Sequence, residues 1–418
     1  MSTPLPWGDT QPPWTVGQVK HLGRVTLGKM LQAKDTGQDV LAPYMRAANV
    51  QPDGVLSLDD VKEMWFAPRE LDDLTLRRGD VVVVEGGQGG FGRAAYVGED
   101  LDGWGFQNSI NRIRPRSGND GRFLAYYLIA LRATGFIRRY CNVVSMPHLT
   151  AEKLAAIALP LPSGSEQRAI ADHLDRETSQ IDTLIAAQQR FVGLLEERRE
   201  AVIRSAIPVP GQSEWKADKL GRRSIISNGA TPRREEDKYW RNGDIPWLNS
   251  SVVNLRAVVS ADQFVTSNAM TECHLPVAEP NDILVGLTGQ GKTRGMATIL
   301  KIRATISQHL ACIHADRTRW APEYLLWALK SAYRDLRHAS DANGATKGGL
   351  TVDALKRHVL VRPPLAEQRR IVDYLNEETA KTDALIAKTQ RHIELARERR
   401  IALITAAVTG QIDITKGA

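Results

Sequence analysis

Two stretches of the chain place mostly apolar residues, interrupted by a few polar ones, at alternating steps of four and three, which is the spacing of a helix that packs along another helix. They lie within residues 166–207 and 367–408. The seam positions are Leu174, Thr178, Ile181, Ile185, Gln188, Val192, Leu195, Arg199, Val202 and Ala206, then Leu375, Thr379, Thr382, Ile386, Thr389, Ile393, Ala396, Arg400, Leu403 and Ala407. A proline precedes each stretch, and a Glu-Gln pair lies where a first helical turn favours acidic residues. Each stretch is therefore predicted to be one long helix.

The two stretches are copies of one another. Residues 166–207 align with 367–408 without a gap, and half of the aligned positions are identical. The alignment continues upstream, where Leu149-Thr150 corresponds to Leu350-Thr351. A repeat at this distance indicates a duplicated architecture, and the simplest coiled-coil partner for one helix is the other.

A globular segment precedes each helix, at about residues 1–160 and 209–362, and Pro208–Gly211 reads as the linker between the copies. The two segments match only faintly, at a few pairs of positions. These pairs are Trp14 with Trp215, Pro43-Tyr44 with Pro246-Trp247, Gly79-Asp80 with Asn281-Asp282, Gly87–Gly89 with Gly289–Gly291, and a helix at Arg122–Arg132 with one at Glu323–Ser331. This pattern predicts two modules with a common scaffold and different surfaces.

Composition narrows the class of protein. A chain of 418 residues is too long for one ordinary core, and its net charge of +7 favours a polyanionic partner such as nucleic acid. Three widely spaced cysteines fit a reducing compartment, and the N-terminus has no secretory signal pattern. No apolar run is long enough for a membrane span. We expect a cytoplasmic protein that does not enter a membrane.

Three patterns imitate catalytic or metal sites. Gly286–Thr293 matches the phosphate-binding loop pattern, but the residues after it read as a strand, whereas such a loop needs a helix there. Pro52-Asp53 with Asp60-Val61-Lys62 has a nuclease-like spacing, but the first pair reads as a turn and Ser57–Val61 as the start of a helix. His309, Cys312 and His314 could suggest a metal, but on a strand His309 would point away from the other two. No methylation motif is present, so we expect no catalytic residues and no metal site.

The combination of repeats and modules resembles a known family. Each helix begins with the pattern L-P-x-x-x-E-Q, at Leu161–Gln167 and, with Arg362 in place of the leucine, at Pro363–Gln368. Each is preceded by L-[ST]-x-x-x-L, at Leu149–Leu154 and Leu350–Leu355. With Ile245–Leu248 and the ending Thr409–Asp413, the whole chain is similar to the specificity subunit of type I restriction-modification enzymes.

The resemblance implies an α+β fold with two mixed α/β target recognition domains, separated by two long helices that pair as an antiparallel coiled coil with a pseudo-two-fold repeat. The expected boundaries are 1–160 and 209–362 for the recognition domains, with helical spacers at 161–208 and 363–418. Each domain would read half of a bipartite, asymmetric site in double-stranded DNA, and the helices would set the gap. Two modification subunits would bind S-adenosylmethionine and methylate adenine, and two restriction subunits could add ATP- and Mg-dependent activity. The chain itself would bind no cofactor.

Candidate DNA-binding residues come from segments that align between the modules and are polar in both. They are Arg46, Asn49, Gln88, Arg93, Asn249, Ser250, Gln290, Lys292, Arg294 and, in the Gly-rich segment Asn343–Gly349, Lys347. Two other interpretations stay open. One is an enzyme that combines methylation and specificity in one chain, and the other is an adaptor whose coiled coil joins two protein-binding modules.

Overall fold

The structure, a computed structural model, describes residues 12–87, 89–141, 148–289, 291–341, 349–412 and 414. The chain forms two compact units. Unit 1 comprises Met1–Gln189 and Arg391–Ala418, and unit 2 comprises Arg190–Gln390. Each unit therefore contains one globular segment and part of both long helices. Within the described residues, no helix is both long and apolar enough to cross a membrane.

Among its described residues, unit 1 contains nine strands, five complete α-helices and part of each long helix. The strands are β1 Val16–Gln18, β2 Gly23–Leu27, β3 Val40–Met45, β4 Lys62–Phe66, β5 Val81–Val84, β6 Ala94–Tyr96, β7 Gly105–Phe106, β8 Ile110–Pro115 and β9 Ala158–Pro160. The helices are α1 Val19–Leu22, α2 Pro68–Leu74, α3 Gly121–Ala133, α4 Phe136–Tyr140, α5 Ala151–Ala156 and the long α6 Gly164–Ala206, which continues into unit 2.

The described residues of unit 2 follow a similar order, with one additional strand, one additional short helix after β11 and a 3-10 turn at Leu220–Arg222 in place of α1. Its strands are β10 Ala217–Lys219, β11 Ser224–Asn228, β12 Ile245–Leu248, β13 Ala257–Val258, β14 Gln263–Val265, β15 Ile283–Gly286, β16 Ala297–Leu300, β17 Thr305–Ile306, β18 Leu310–Ala315 and β19 Val359–Val361. Its helices are α7 Asp237–Trp240, α8 Ser267–Glu272, α9 Pro322–Ser331, α10 Tyr333–Asp341, α11 Val352–Arg357 and the long α12 Leu365–Val408, which ends in unit 1.

The two units share one sheet topology. Unit 1 has sheets of order β2-β8-β5-β6, β4-β3-β7 and β1-β9, and unit 2 has β11-β18-β15-β16-β13, β14-β12-β17 and β10-β19. The extra strand β13 pairs in parallel with β16 at the sheet edge. In unit 1 the middle strand of the small sheet, β3, pairs in parallel with β7, the strand before β8. In unit 2 the middle strand, β12, pairs in parallel with β17, the strand before β18. The predicted common scaffold is thus confirmed.

A fully apolar central strand is buried on both faces of the larger sheet. In β5, Val81 and Val83 pack with α3 and the long helices, whereas Val82 and Val84 pack with the small sheet around Phe66. Ile283 and Val285 of β15 belong likewise to the core of α9, and Leu284 to the opposite core. Alternation along a strand sends neighbouring side chains to opposite faces, so both cores need an unbroken apolar run.

The long helices pair within each unit in antiparallel fashion. In unit 1, Leu174 near the start of α6 shares a core with Ile404 near the end of α12, and Arg400 Nε lies 3.0 Å from Asp182 Oδ1. In unit 2, Ile203 near the end of α6 shares a core with Leu375 near the start of α12. Every predicted seam position is buried or half-buried. The seam and the antiparallel coiled-coil pairing are therefore confirmed.

The Glu-Gln pair at the start of each helix has a structural role that is the same in both units. Gln167 is 1% exposed, and its amide accepts from the Asp120 backbone N–H and donates to the Pro162 carbonyl. Gln368 is 0% exposed, accepts from the Ala321 N–H and donates to the Pro363 carbonyl. The motif thus ties each long helix to the start of α3 or α9.

One local prediction was wrong. Ser57–Val61 does not start a helix but forms an irregular segment that leads into β4. The physical reason is the Asn49 side chain, whose amide nitrogen donates to the carbonyls of Ser57 and Asp60, while the Ser57 N–H donates to the Asn49 carbonyl. These long-range bonds outweigh the local capping signal.

Candidate nucleic-acid interface

The Gly-rich loop of unit 1 connects β5 to β6 and is held in place by α3. Gly87, Gly89 and Gly92 have φ values of 99°, 83° and 71°, a region that favours glycine. Arg132, near the end of α3, donates from Nε to the Phe91 carbonyl and from a terminal nitrogen to the Gly89 carbonyl, both at 3.2 Å. Burial and the neighbouring Arg93 lower the pKa of Arg132. The loop is therefore a fixed backbone feature at one end of the sheet.

The Gly-rich loop of unit 2, between β15 and β16, is anchored in the same place by different chemistry. Counting from the helix N-caps Asp120 and Ala321, Tyr333 is the counterpart of Arg132. Its hydroxyl donates to the Lys292 carbonyl at 3.0 Å, and Arg337 donates to the Gly291 carbonyl at 2.5 Å. The Lys292 side chain stays exposed. The predicted hairpin with a following strand, β16, is confirmed, so no helix N-terminus follows Lys292-Thr293 as a phosphate loop requires.

Other predicted segments converge on the Gly-rich loop of unit 1. The Ser109 hydroxyl accepts from the Ala47 N–H at 3.3 Å, and the Ser109 carbonyl accepts from the Glu85 N–H at 2.9 Å. The Leu149 N–H donates to the Glu85 carbonyl at 2.8 Å. The turn after β3, the turn before β8, the Gly-rich loop and the segment before α5 thus meet at one place, which we call the loop end of unit 1.

The loop end of unit 2 forms in the same way. The Leu287 N–H donates to the His309 carbonyl at 2.9 Å, and the Leu350 N–H donates to the Leu287 carbonyl at 2.8 Å. The Ser307 N–H donates to the Leu248 carbonyl, which places Asn249 and Ser250 beside this turn. Since Met45 and Leu248 occupy equivalent places in the small sheets, Arg46 and Asn249 are counterparts. Different side chains thus stand at the same position of the two loop ends.

The candidate side chains differ in their exposure and in the hydrogen bonds that they already make within the protein. Arg46 pairs with the exposed Asp60, and the Asn249 side-chain oxygen accepts from the Ser251 N–H at 2.9 Å, capping the short helix at Ser250–Asn254. Asn49 is 2% exposed, and its amide nitrogen and oxygen bind backbone within its own loop. Arg93 is half-buried beside the Val50 carbonyl.

Arg294 is 7% exposed, so among the candidates of this loop Lys292 is better placed to reach a ligand. Gln88, Gln290 and Lys347 lie outside the described residues. The assignment of these ten residues to DNA contact stays a prediction.

The structure adds polar residues to the loop end of unit 2 that the sequence comparison did not single out. Thr288 Oγ1 lies 2.8 Å from His309 Nδ1, and Thr231 hydrogen-bonds Gln308. Nearby in sequence, the Arg234 guanidinium stacks 3.9 Å from the Trp240 ring centre and donates to Gln263. They were missed because Thr231, Gln308 and Arg234 lie outside the short segments that could be aligned between the two modules from sequence. The folded chain identifies them, because the segment after β11 and the turn before β18 lie in contact.

The remaining catalytic and metal patterns have structural explanations. Cys312 and His314 share a face of β18 and both contact Asp282, while His309 contacts Thr288, as the strand alternation predicts. Burial and the Asp282 charge raise the pKa of the Cys312 thiol well above its ordinary value, which disfavours the thiolate that metals bind. In the part of the chain that the structure describes, no group of three or more His, Cys, Asp or Glu could hold a metal ion.

The duplicated α+β fold and its two loop ends define a protein built from two related recognition modules. Its family is given by comparison with known proteins. The family model for the type I restriction modification DNA specificity domain matches residues 12–189 and again 212–395. The chain belongs to this family, and its role is DNA sequence recognition in a type I restriction-modification system, as a non-catalytic subunit.

Several specificity subunits are similar to this chain. The EcoKI specificity subunit of Escherichia coli is 21% identical, with 96% of this chain and 89% of the relative covered. The MjaIX specificity subunit of Methanocaldococcus jannaschii is 20% identical over 74% of this chain and 72% of the relative. The match to the EcoR124I/EcoR124II specificity subunit, 23% identical, spans 45% of this chain and only 46% of that relative.

Solved structures share the fold. A chain from a type I restriction-modification system, described in terms of complex assembly and conformational transition, superimposes with a TM-score of 0.76. It is 18% identical, and the match covers 96% of this chain and 100% of the other. The HsdS subunit from Thermoanaerobacter tengcongensis gives a TM-score of 0.54 at 20% identity, with 96% and 98% covered. These matches confirm the predicted fold class.

Proposed function

We propose that the chain reads a bipartite, asymmetric sequence in double-stranded DNA, one half with each loop end, and directs adenine methylation by partner subunits. The proposal rests on one observation: the two units share a scaffold but carry different side chains at their loop ends. The Gly-rich loops are anchored at the same place, yet Arg46 stands where unit 2 has Asn249. Arg favours guanine and Asn favours adenine in the major groove, so equivalent positions with these side chains suit different bases.

The proposed recognition domains are residues 1–160 and 209–362, with helical spacers at 161–208 and 363–418. Base and phosphate contacts come from the ten predicted residues and from Gln308 and Thr231. Lys292, exposed on a fixed loop, supplies a phosphate contact, while Asn49 positions the turn that carries Arg46. The paired helices set the distance between the half-sites.

The proposed partners are two modification subunits, which hold S-adenosylmethionine, and two restriction subunits, which hold ATP and Mg. The chain itself holds none of these and acts in the cytoplasm. Exposed charged positions on the paired helices supply surface for such subunits, because the apolar seam is already occupied within each unit.

Sequencing the methylated bases of the host genome with and without this gene tests the proposal. We expect one split motif with methylated adenine that disappears on deletion and returns on complementation. An unchanged methylation pattern in a host whose modification subunit is expressed would contradict the proposal. A salt-insensitive interaction with protein alone would instead support the adaptor interpretation, because DNA affinity falls steeply with salt.

A further inference from the structure

A strongly basic cavity lies at the end of unit 1 opposite to the loop end, where β5 begins and β8 ends. Its volume is about 620 Å³. We call it the basic groove and define it by its six arginines, which are Arg77, Arg78, Arg114, Arg116, Arg122 and Arg168. Asp80 and Asp120 also line it, so the lining carries a clear excess of positive charge.

The walls of the basic groove are built and fixed. Asp80, 1% exposed, accepts from the Arg114 guanidinium at 2.8 and 2.7 Å and from the Arg77 backbone N–H at 2.9 Å. Asp120 accepts from Arg122 at 2.8 Å, and its own N–H is held by Gln167. Both carboxylates are therefore already neutralised, and the loops that carry them cannot close over the cavity without breaking buried bonds.

The side chains of the other four arginines of the groove are exposed, and within the described residues none of them pairs with a carboxylate. Arg77, Arg78, Arg116 and Arg168 take part in none of the ion pairs found among the described residues. Of these four side chains, only that of Arg116 hydrogen-bonds to the part of the chain that the structure describes, through a long contact of 3.4 Å to the Lys20 carbonyl. Like charges around one cavity repel each other, and an anion that enters relieves this repulsion. The guanidinium fork fits a phosphate group better than it fits water.

Unit 2 has a carboxylate at three of the six equivalent places. The Asp80 N–H donates to the Arg77 carbonyl, and the Asp282 N–H donates to the Glu279 carbonyl. Arg116 corresponds to Asp316 for a similar reason. The Arg116 N–H donates to the Leu22 carbonyl just before β2, and the Asp316 N–H donates to the Arg223 carbonyl just before β11. Counting from the N-caps of α3 and α9, Arg122 corresponds to Glu323. Three arginines of the groove are thus replaced by carboxylates, whereas Arg168 keeps an arginine, Arg369, as its counterpart, so the equivalent surface of unit 2 is less basic.

We propose that the basic groove binds backbone phosphates of the DNA duplex just outside the half-site that unit 1 reads. This inference rests on the proposed function. A partner present in two identical copies would meet equivalent surfaces on both units, and these surfaces differ in charge. The two flanks of an asymmetric DNA site, in contrast, need not be held alike.

The dimensions of unit 1 fit this arrangement. Helix α3 begins at the groove with Gly121 and Arg122 and ends at the Gly-rich loop with Arg132. At 1.5 Å per residue this separates the two sites by roughly 18 Å, which is the length of about five base pairs of a duplex whose axis is parallel to α3. The groove phosphates therefore lie about half a helical turn beyond the bases read at the loop end.

The test exchanges the groove residues for their unit 2 counterparts, Arg77→Glu together with Arg116→Asp. The matched control, Arg69→Glu together with Arg138→Asp, makes the same charge change at exposed arginines outside the groove. Binding of the full chain, purified with its copurifying subunits, is measured on the duplex that the methylation experiment identifies. We expect about tenfold weaker binding near 0.15 M salt for the groove variant, and a salt slope lower by roughly two. The control should bind within twofold of the wild type.

Truncated duplexes locate the contact. Removing the duplex beyond the half-site of unit 1 should weaken wild-type binding and leave the groove variant unchanged, whereas removing the other flank should affect neither protein. Equal salt slopes for groove variant and wild type, or no dependence on the first flank, would overturn the inference. Tripolyphosphate binding lost in the groove variant without any change in DNA affinity would also overturn it, as would loss of a copurifying subunit. Continued discrimination against mutated half-sites in these cases would show that the proposed function itself still stands.

Discussion

Gln167 in unit 1 and Gln368 in unit 2 occupy equivalent places and make the same kinds of bond, whereas Asp80 and Asp282 occupy equivalent places and have different partners. Each glutamine ties a long helix to the start of α3 or α9. Asp80 pairs with Arg114, but Asp282 contacts His314 and Cys312. The contrast teaches that the helix junctions of the two units follow one design, while the sheet ends have diverged in charge and chemistry.

The largest effect is expected when the globular segment of one unit is replaced as a whole. Replacing residues 1–150 with the corresponding segment of a related specificity subunit should change one half of the methylated motif completely and leave the other half intact, because the loop ends form separately. Sequencing of methylated bases in cells checks this. A simultaneous change of both half-sites would show that the units do not read independently.

The shared junction predicts matching losses of stability in the two units. Gln167→Ala and Gln368→Ala should each lower the free energy of unfolding by about 2–3 kcal/mol, because each leaves a buried N–H and a buried carbonyl without a partner. Urea unfolding of the full chain measures both. Exposed Gln189→Ala serves as a control with an expected change near zero. A large loss in one unit only would mean that the junctions are not equivalent.

A half-buried lysine of α9 has no counterpart in α3. Burial, followed by Arg199 and Arg256, lowers the pKa of Lys330 to about 8, and the counterpart position in α3 holds Ile129. Because the unfolded chain binds more protons than the folded one between pH 8 and the ordinary pKa of 10.5, the free energy of unfolding should rise with pH across this window. Lys330→Ile should remove that rise and stabilise the protein by about 1–2 kcal/mol at pH 7.

Chemical unfolding at several pH values between 7 and 10.5 follows this effect. The exposed Lys356→Ile is a matched control, since it removes a lysine without relieving burial. A wild-type stability that is flat in this window would contradict the lowered pKa.

The two ion pairs between the long helices should differ in strength although their residues are counterparts. Arg400 is 8% exposed and pairs with Asp182 at 3.0 Å, whereas Arg199 is 35% exposed and pairs with Asp383 at the same distance. Arg400→Met should cost about 1 kcal/mol and Arg199→Met less than about 0.5 kcal/mol, because water screens the more exposed pair. Thermal unfolding of both variants measures the difference, and equal losses would show that burial does not separate them.

The smallest effect concerns one exposed loop residue. Lys292→Ala should weaken DNA binding about threefold, lower the salt slope by roughly one and leave the target motif unchanged, as expected for a single phosphate contact. Fluorescence anisotropy at several salt concentrations measures this. Any ATP hydrolysis of the purified chain that disappears in this variant would contradict the interpretation of the loop as a β-hairpin.

The sequence by itself determined the repeat, the two long helices and the equivalence of the globular segments. Heptad spacing and prolines are local signals, so α6 and α12 could be placed within two residues of their predicted starts and ends. The strand after Lys292-Thr293 was also predictable from a local signal, because a run of strand-forming residues follows the turn there. A resemblance in four short motifs added the family.

Only the tertiary structure decided which polar residues meet. The signal at Ser57–Val61 favoured a helix until the distant Asn49 side chain bound its carbonyls, and Asn49 itself turned out to be buried. The basic groove joins Arg77, Arg116 and Arg168, which are far apart in the chain and follow no motif. Local propensity acts between near neighbours, whereas charge repulsion and hydrogen bonding depend on distance in space. The surfaces that distinguish the two units are therefore set by chain topology rather than by any short segment.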